Sequence, residues 1–289
     1  MPTVLIVGSL HHDIMIEADH LPRRDETAVG RRWYPKFGGK GGNQAVAAAQ
    51  AGVAARMFGA VGCDGFGAYL VAALDAGGVD RRFVSEIPDA ASGMSVAIID
   101  RDGDYAATVV SGANLLLDAA VLTDDALWQD VIVLVLQNEV PEAINMAAAT
   151  EARARGAKVV LNAAPARPLP PALRRCVDVL IVNAVEAEMM GTEPVTDLPS
   201  ATAAAQRLAT DRDSVIVTAG SHGLAAWMRD GEQMILPAVK VQVVSSHGAG
   251  DSFTGTLAAA LARGHTLPEA CNTASEAAAR HVSGHGYRD

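Results

Sequence analysis

The second half of the chain carries the feature that most limits its fold. From residue 131 onward, short and continuously apolar runs alternate with helical stretches. Val131–Leu136 (VIVLVL) reads as a strand, Glu142–Arg155 as a helix and Val159–Leu161 as a strand. Val179–Val182 is a further strand, followed by a short helix Ala184–Met190, a helix Ala201–Asp211 and a strand Val215–Thr218. A strand that is apolar at every position, not at every second one, is buried on both faces. Such strands separated by helices build a parallel sheet with helices on both sides. Leu224–Arg229 and Met234–Val244 read as antiparallel additions joined through Asp230-Gly231, and two alanine-rich helices, Ser252–Arg263 and Leu267–His281, follow. The expected class is α/β, a three-layer α/β/α sandwich on a mostly parallel sheet.

The first half fits the same plan. Val4–Val7 is a core strand, Gln44–Ala51 a helix stopped by Gly52, Ala55–Gly59 a strand and Phe66–Ala76 a helix ending at Gly77-Gly78. Ser95–Asp100 and Tyr105–Val110 flank Arg101-Asp102-Gly103-Asp104, a hairpin signal. The excursions at about 12–37 and 93–112 are too polar for the interior, and the expectation is a small β-sheet flap over one edge. No linker is evident, so residues 1–289 are expected to form one domain.

Composition excludes some function classes. The formal net charge is −10 and the pI about 5.2, which argues against a nucleic-acid binder and against a polybasic membrane contact. No apolar run approaches the roughly 18–20 residues that span a bilayer, and MPTVLIVGSL lacks a basic flank or cleavage site, so it reads as a first strand. Cys63, Cys176 and Cys271 are far apart and odd in number, which suits reduced thiols in a cytoplasmic protein.

Five segments carry chemistry. In VVSSHGAGDSFTG (243–255) a strand-like run leads into Gly248-Ala249-Gly250, then Asp251 at a helix start. Helix N-termini and glycine-rich turns suit anions such as phosphate. Asp251 is itself anionic, so it suits a general base that takes a proton from an attacking hydroxyl, or else a plain helix cap; the segment alone leaves both open. FGGKGGNQ (37–44) places four glycines around Lys40 ahead of a helix; it is not a Walker A loop, and it suits hydrogen bonding to a polyol or a bare flexible turn. In VGSLHHD (7–13), Asp13 lies just past the first strand and suits vicinal hydroxyls, while the adjacent His11 and His12 face opposite ways on an extended segment and make a poor metal pair. Asn183 and Glu186 suit water and Mg²⁺ near phosphates, or a capping box. Thr218-Ala219-Gly220-Ser221-His222-Gly223 is a turn after a strand that suits a nucleotide.

Together, GGKGGNQAVAAAQAG and GAGDSFTG resemble the two signatures of the PfkB family of sugar kinases, and the set is most similar to its ribokinase branch. The resemblance runs in order through GSLHHD, FGGKGGNQA, the SGAN of 111–114, Gln137-Asn138-Glu139, the NAAPA of 162–166, Asn183-x-x-Glu186, TAGSHG and GAGD. It implies a ribokinase-like fold with a β-sheet lid, often dimerised through that lid, and transfer of the γ-phosphate of ATP to a sugar hydroxyl with Mg²⁺. On this chain it implies Asp251 as base and the amides of Gly248, Ala249 and Gly250 as an anion hole. His11, Asp13, Gly39, Lys40, Asn43 and Glu139 match substrate-facing positions. Asn183, Thr218, Gly220, Ser221 and Gly223 match nucleotide positions, and Glu186 matches an indirect, water-mediated metal position.

Three departures modify these expectations. Ser245-Ser246-His247 stands where the family usually has Asp-Thr-x, whose aspartate helps hold an activating potassium ion; a neutral serine cannot supply that charge, so dependence on a monovalent cation is not expected. His11 replaces an asparagine and is bulkier, so the sugar need not be D-ribose. The sequence stops at Gly286-Tyr287-Arg288-Asp289, short of a family segment on the nucleotide side. The alternatives are a ribonucleoside (adenosine-type) kinase, with Met94, Ile98 and Tyr105 lining a larger pocket or merely packing, and a non-catalytic sugar- or nucleoside-binding sensor.

Overall fold

The structure, a computed structural model, describes residues 1–102, 104–210 and 213–284, with only the backbone of Tyr105. Gly103 of the expected turn, Asp211 at the expected helix end, and the C-terminal Gly286–Asp289 lie outside the described residues.

The strands are β1 (Thr3–Val7), β2 (His11–Glu17), β3 (Arg32–Gly38), β4 (Ala54–Gly62), β5 (Asp80–Ile87), β6 (Met94–Ile99), β7 (Tyr105–Val110), β8 (Val131–Gln137), β9 (Lys158–Asn162), β10 (Val179–Asn183), β11 (Ser214–Thr218), β12 (Gly223–Trp227) and β13 (Gln233–Pro237). The helices are α1 (Lys40–Gln50), α2 (Gly65–Ala76), α3 (Asp125–Trp128), α4 (Glu142–Ala154), α5 (Pro171–Arg174), α6 (Ala184–Met189), α7 (Leu198–Leu208), α8 (Ala249–Ala262) and α9 (Leu267–Val282).

The central sheet has the order β13-β12-β11-β10-β9-β8-β1-β4-β5. Its pairings are parallel from β5 through to β11, and antiparallel where β12 and β13 are added. Alternation along each strand sends side chains to opposite faces. Val4 and Ile6 of β1, Val133 and Val135 of β8, and Val179 and Ile181 of β10 pack with α1, α2, α8 and α9. Leu5 and Val7, Leu134 and Leu136, and Leu180 and Val182 pack on the other side with α4 and α7. Both faces are buried through the middle of these strands, from Val133 onward in β8, where Ile132 stays exposed.

A second sheet, β3-β2-β6-β7, stands apart from the first. β2 pairs antiparallel with β3 and parallel with β6, and β6 pairs antiparallel with β7. Asp13 therefore does not sit on the end of the first strand but inside β2, in the small sheet. Four other readings shift. α1 begins at Lys40, not Gln44, so the glycine segment supplies its first turn. α7 begins at Leu198, ahead of the expected Ala201, because Asp197 caps it in a reciprocal pair with Ser200. β13 ends at Pro237, and residues 238–247 carry no regular structure. β5 is not foreseen by the sequence pattern: DRRFVSEI has no buried residue and shows neither strand nor helix periodicity. No helix among the described residues is long and apolar enough to cross a membrane.

Candidate active site

The strand order reverses direction between β1 and β8: from β1 the chain goes to β4 and β5 on one side, and from β8 to β9, β10 and β11 on the other. In open parallel sheets, the carboxyl ends of the strands at such a point leave a crevice. Here those ends carry Gly8-Ser9 after β1, Gln137 on β8, Asn162 on β9, Asn183 on β10 and Thr218 on β11, with Gln137 beside Asn162 and Asn183 beside Thr218 in register.

α8 brings Asp251 over the middle of this row. It can do so because Gly255, one turn later, lies against α1; a Cβ there would fall onto the Gln44 carbonyl oxygen. The close approach sets Asp251 against the first turn of α1. Gln44 Nε2 donates to Asp251 Oδ1 at 2.9 Å, and Asn43 Nδ2 donates to Oδ2 at 3.2 Å. Gln44 is held in turn by Gln137 Nε2, which donates to its Oε1 at 2.8 Å, and it donates to Asn162 Oδ1 at 3.2 Å. Asp251 is 8% exposed, and burial pushes its carboxyl up to about 6 against the pull of Lys40. A carboxylate with that value is ionised at neutral pH yet basic enough to accept a proton.

The first turn of α1 is fixed by Gly39, at φ 86°, where a Cβ would come within 2.7 Å of the His11 nitrogen and the Ser9 oxygen. Glu139 accepts from Lys40 N–H at 2.9 Å and from the Ser9 hydroxyl, and His11 Nδ1 lies 3.9 Å from the same carboxylate. Burial works against the Lys40 ammonium, but Asp251, Glu139 and Glu186 outweigh it and hold its pKa above the ordinary lysine value. Lys40 thus stands as a cation shared by three acids of the crevice. Asp13, 7% exposed, accepts from Ser95 Oγ at 2.6 Å. His12 turns away from His11 and stacks on Phe66 at 4.1 Å; burial lowers its pKa despite Asp13 and Asp64. Among the described residues no group of three or more His, Cys, Asp or Glu is arranged to hold a metal.

The other end of the crevice is more open. Asn183 and Glu186 form a reciprocal capping box at the start of α6, with both bonds at 2.8 Å. Burial pushes the Glu186 carboxyl up, while the Asn183 N–H bond and Lys40 pull it down. Thr218 ends β11, Gly220 and Ser221 are exposed in a single 3₁₀ turn, and Gly223 opens β12. At the mouth of α8, the amides of Gly248, Gly250 and Asp251 have no hydrogen-bond partner among the described residues, whereas Ala249 N–H donates to the Ser246 carbonyl at 3.3 Å. Asp251, Asn43, Lys40, Glu139, Ser9 and His11 thus form one connected cluster, while Asp13 is held separately by Ser95. Thr218, Gly220, Ser221 and Gly223 lie at the far end, with no hydrogen bond to that cluster among the described residues.

The sequence reading misses Gln44, Ser95 and Asn162. Gln44 stands next to Asn43 inside the glycine segment and is within reach of that reading. Ser95 carries no local signal, because only the β2–β6 pairing brings it to Asp13. The same pairing corrects another expectation. Ser95 faces Asp13, so by strand alternation Met94 and Ile98 lie half-buried on the opposite face of the small sheet. The Tyr105 side chain lies outside the described residues.

Comparison with known proteins places the chain in a family. The model of the pfkB family carbohydrate kinases matches residues 1–289. The chain is 31% identical over 287 residues to a ribokinase of Haemophilus influenzae, covering 98% of this chain and 93% of that one. It is 30% identical over 288 residues to a deoxyribokinase of Salmonella typhi, covering 98% and 93%. Among solved structures, Arabidopsis thaliana ribokinase complexed with ribose and ATP superposes with a TM-score of 0.87 at 28% identity, covering 97% of this chain and 92% of that one. With that family match across the whole length, the chain belongs to the pfkB family of carbohydrate kinases, phosphotransferases that act on an alcohol group.

Proposed function

We propose that this kinase transfers the γ-phosphate of ATP, with Mg²⁺, to a hydroxyl of a ribose-like sugar, with Asp251 as general base. The observation that carries the reading is the buried Asp251 carboxylate, held by Asn43 and Gln44, at a helix start where the Gly248, Gly250 and Asp251 amides have no hydrogen-bond partner among the described residues. Asp251 takes the proton of the attacking hydroxyl; the amides of Gly248 and Gly250 receive the moving phosphate, joined by that of Ala249 once it leaves the Ser246 carbonyl; Lys40 balances the phosphate charge. Such a reaction depends on positioning and charge stabilisation more than on covalent chemistry.

Asp13, Gly39, Asn43 and Glu139 bind the sugar. His11 joins them: its ring is buried, and Nε2 has no hydrogen-bond partner among the described residues, so a ligand hydroxyl can take it up. Asn183, Thr218, Gly220, Ser221 and Gly223 bind the nucleotide. Glu186 fits a water-mediated role toward Mg²⁺, since Asn183 N–H engages only its Oε2, and ATP phosphates with water complete such a site. Bound Mg²⁺ neutralises charge on the phosphates. The small sheet serves as lid of a single domain, and a cytoplasmic dimer paired through that sheet is part of the same proposal.

The test is ATP consumption with Mg²⁺ against a panel of pentoses, hexoses and ribonucleosides, starting with D-ribose. Asp251-dependent turnover of a pentose is expected. Turnover of a ribonucleoside alone would move the reading to a nucleoside kinase, and silence on the whole panel would leave a sugar- or nucleoside-binding sensor. A second outcome concerns monovalent cations. Ser245 offers a neutral hydroxyl and no carboxylate, so a potassium ion here would lack a balancing charge. Replacing NaCl by KCl at constant ionic strength is expected to leave the rate unchanged; a saturable increase would overturn this.

A further inference from the structure

The irregular segment 238–247 delivers Gly248 to the start of α8, and the last turn of α9 holds the end of that segment. Val282 O accepts from Val244 N at 2.7 Å and from Ser245 N at 3.2 Å. His281 Nε2 lies 2.9 Å from the His247 carbonyl oxygen. A nitrogen facing a carbonyl must donate, so Nε2 carries the proton in this contact. The ring also lies against the turn itself. Gly248 is left-handed at φ 83°, and a Cβ there would come within 3.0 Å of His281 Nε2.

The His247 carbonyl shares a peptide unit with the Gly248 N–H. In a planar trans peptide the two point in opposite directions. A donor that fixes the carbonyl on one side therefore aims the N–H to the other, and the Gly248 N–H has no partner among the described residues. We propose that His281 is a positioning residue of the phosphate-transfer site, which fixes the His247–Gly248 peptide plane so that the Gly248 amide faces the transferred phosphate. The inference rests on the reading of residues 248–250 as the anion hole. It assigns to a side chain of α9, away from Asp251 in sequence, the geometry of a loop that carries no regular structure of its own. A tie made by the chain's own imidazole needs no bound cation.

Three variants separate the hydrogen bond from packing. His281→Phe fills the space without a donor, His281→Gln keeps a donor, and His281→Ala removes both. Each is assayed with ATP and the acceptor that the panel identifies, beside Asp251→Asn. The expected result is a kcat about tenfold lower in His281→Ala and His281→Phe, the size of one lost hydrogen bond in the transition state. The acceptor KM should stay near wild type, His281→Gln should recover most of the rate, and His281→Phe should melt near wild type. Equal rates in His281→Phe and wild type, or a fall in His281→Gln as deep as in His281→Phe, would overturn the inference. If Asp251→Asn stays active, the reading of the site fails; if Asp251→Asn is dead and the His281 variants are wild-type, only this inference fails.

Discussion

Replacing Asp251 by asparagine is expected to lower turnover by about 10²–10⁴-fold, the range a general base contributes, without loss of sugar or nucleotide binding. Asparagine has nearly the same shape and can still accept from Gln44, so the cluster of Gln137, Gln44, Asn43 and Asn162 has no reason to collapse. Two further readouts separate a base from a cap. First, with the carboxyl pushed up to about 6 by burial, the wild-type kcat/KM should fall as pH drops through that value. Second, a folded-state pKa above the ordinary 3.8 means that the folded chain binds this proton more tightly than the unfolded one. The contribution to stability is then full below the unfolded value and lost as pH rises through about 6. At neutral pH the ionised carboxylate is a burden on the fold, of order 1.4 kcal/mol for each tenfold gain in proton affinity. Asp251→Asn should therefore melt no lower than wild type near neutral pH. A variant with wild-type turnover removes Asp251 as base, and one that melts far lower makes it a structural residue.

The central sheet is legible in the sequence because its physics is local. VIVLVL, VVL and VLIV are apolar at every position, and nothing but two-sided burial needs that pattern. β5 is not legible, since it is an edge strand with charges at 80, 81, 82 and 86. The apolar pattern of β13 runs on past Pro237 and suggests a longer strand, but β12 begins at Gly223, and after Ala238 N–H donates to the His222 carbonyl the chain has no partner strand left to pair with. The start of α1 is hidden for the opposite reason: glycines disfavour helix intrinsically, but Gly41 N–H and Gly42 N–H turn back to Ser9, and that tertiary contact fixes the first turn. The site divides in the same way. Asp251, Lys40 and Asn43 are announced by the glycines around them, which are needed wherever backbone must come close to backbone or ligand. Ser95 and Asn162 are ordinary residues in ordinary strands, and only topology brings them to the crevice. His281 is hidden at the end of an alanine-rich helix.

Asp13 is expected to carry the largest share of sugar affinity. It is 7% exposed, and the Ser95 hydroxyl donates to its Oδ1. Gly38, the last residue of β3, leaves room for the carboxylate, because a Cβ there would fall on the Asp13 Oδ2. A buried carboxylate that receives one hydroxyl still has lone pairs to satisfy, and two vicinal hydroxyls of a sugar match that need. Hydrogen bonds to a charged group contribute about 1.5–3 kcal/mol each. Losing two of them in Asp13→Ala should lower kcat/KM for the sugar by about 10²–10⁴-fold at about 1.36 kcal/mol per decade. The loss should appear in the sugar KM if, as proposed, Asp13 holds the acceptor and does not touch the transferred phosphate. Nucleotide binding, measured with ADP by calorimetry, should be unchanged. This is the reverse of the Asp251→Asn pattern, in which kcat falls and binding stays. An Asp13→Ala enzyme with a wild-type sugar KM would place the acceptor elsewhere in the crevice, and one that loses kcat at an unchanged KM would put Asp13 on the reacting atoms instead of on the bound sugar.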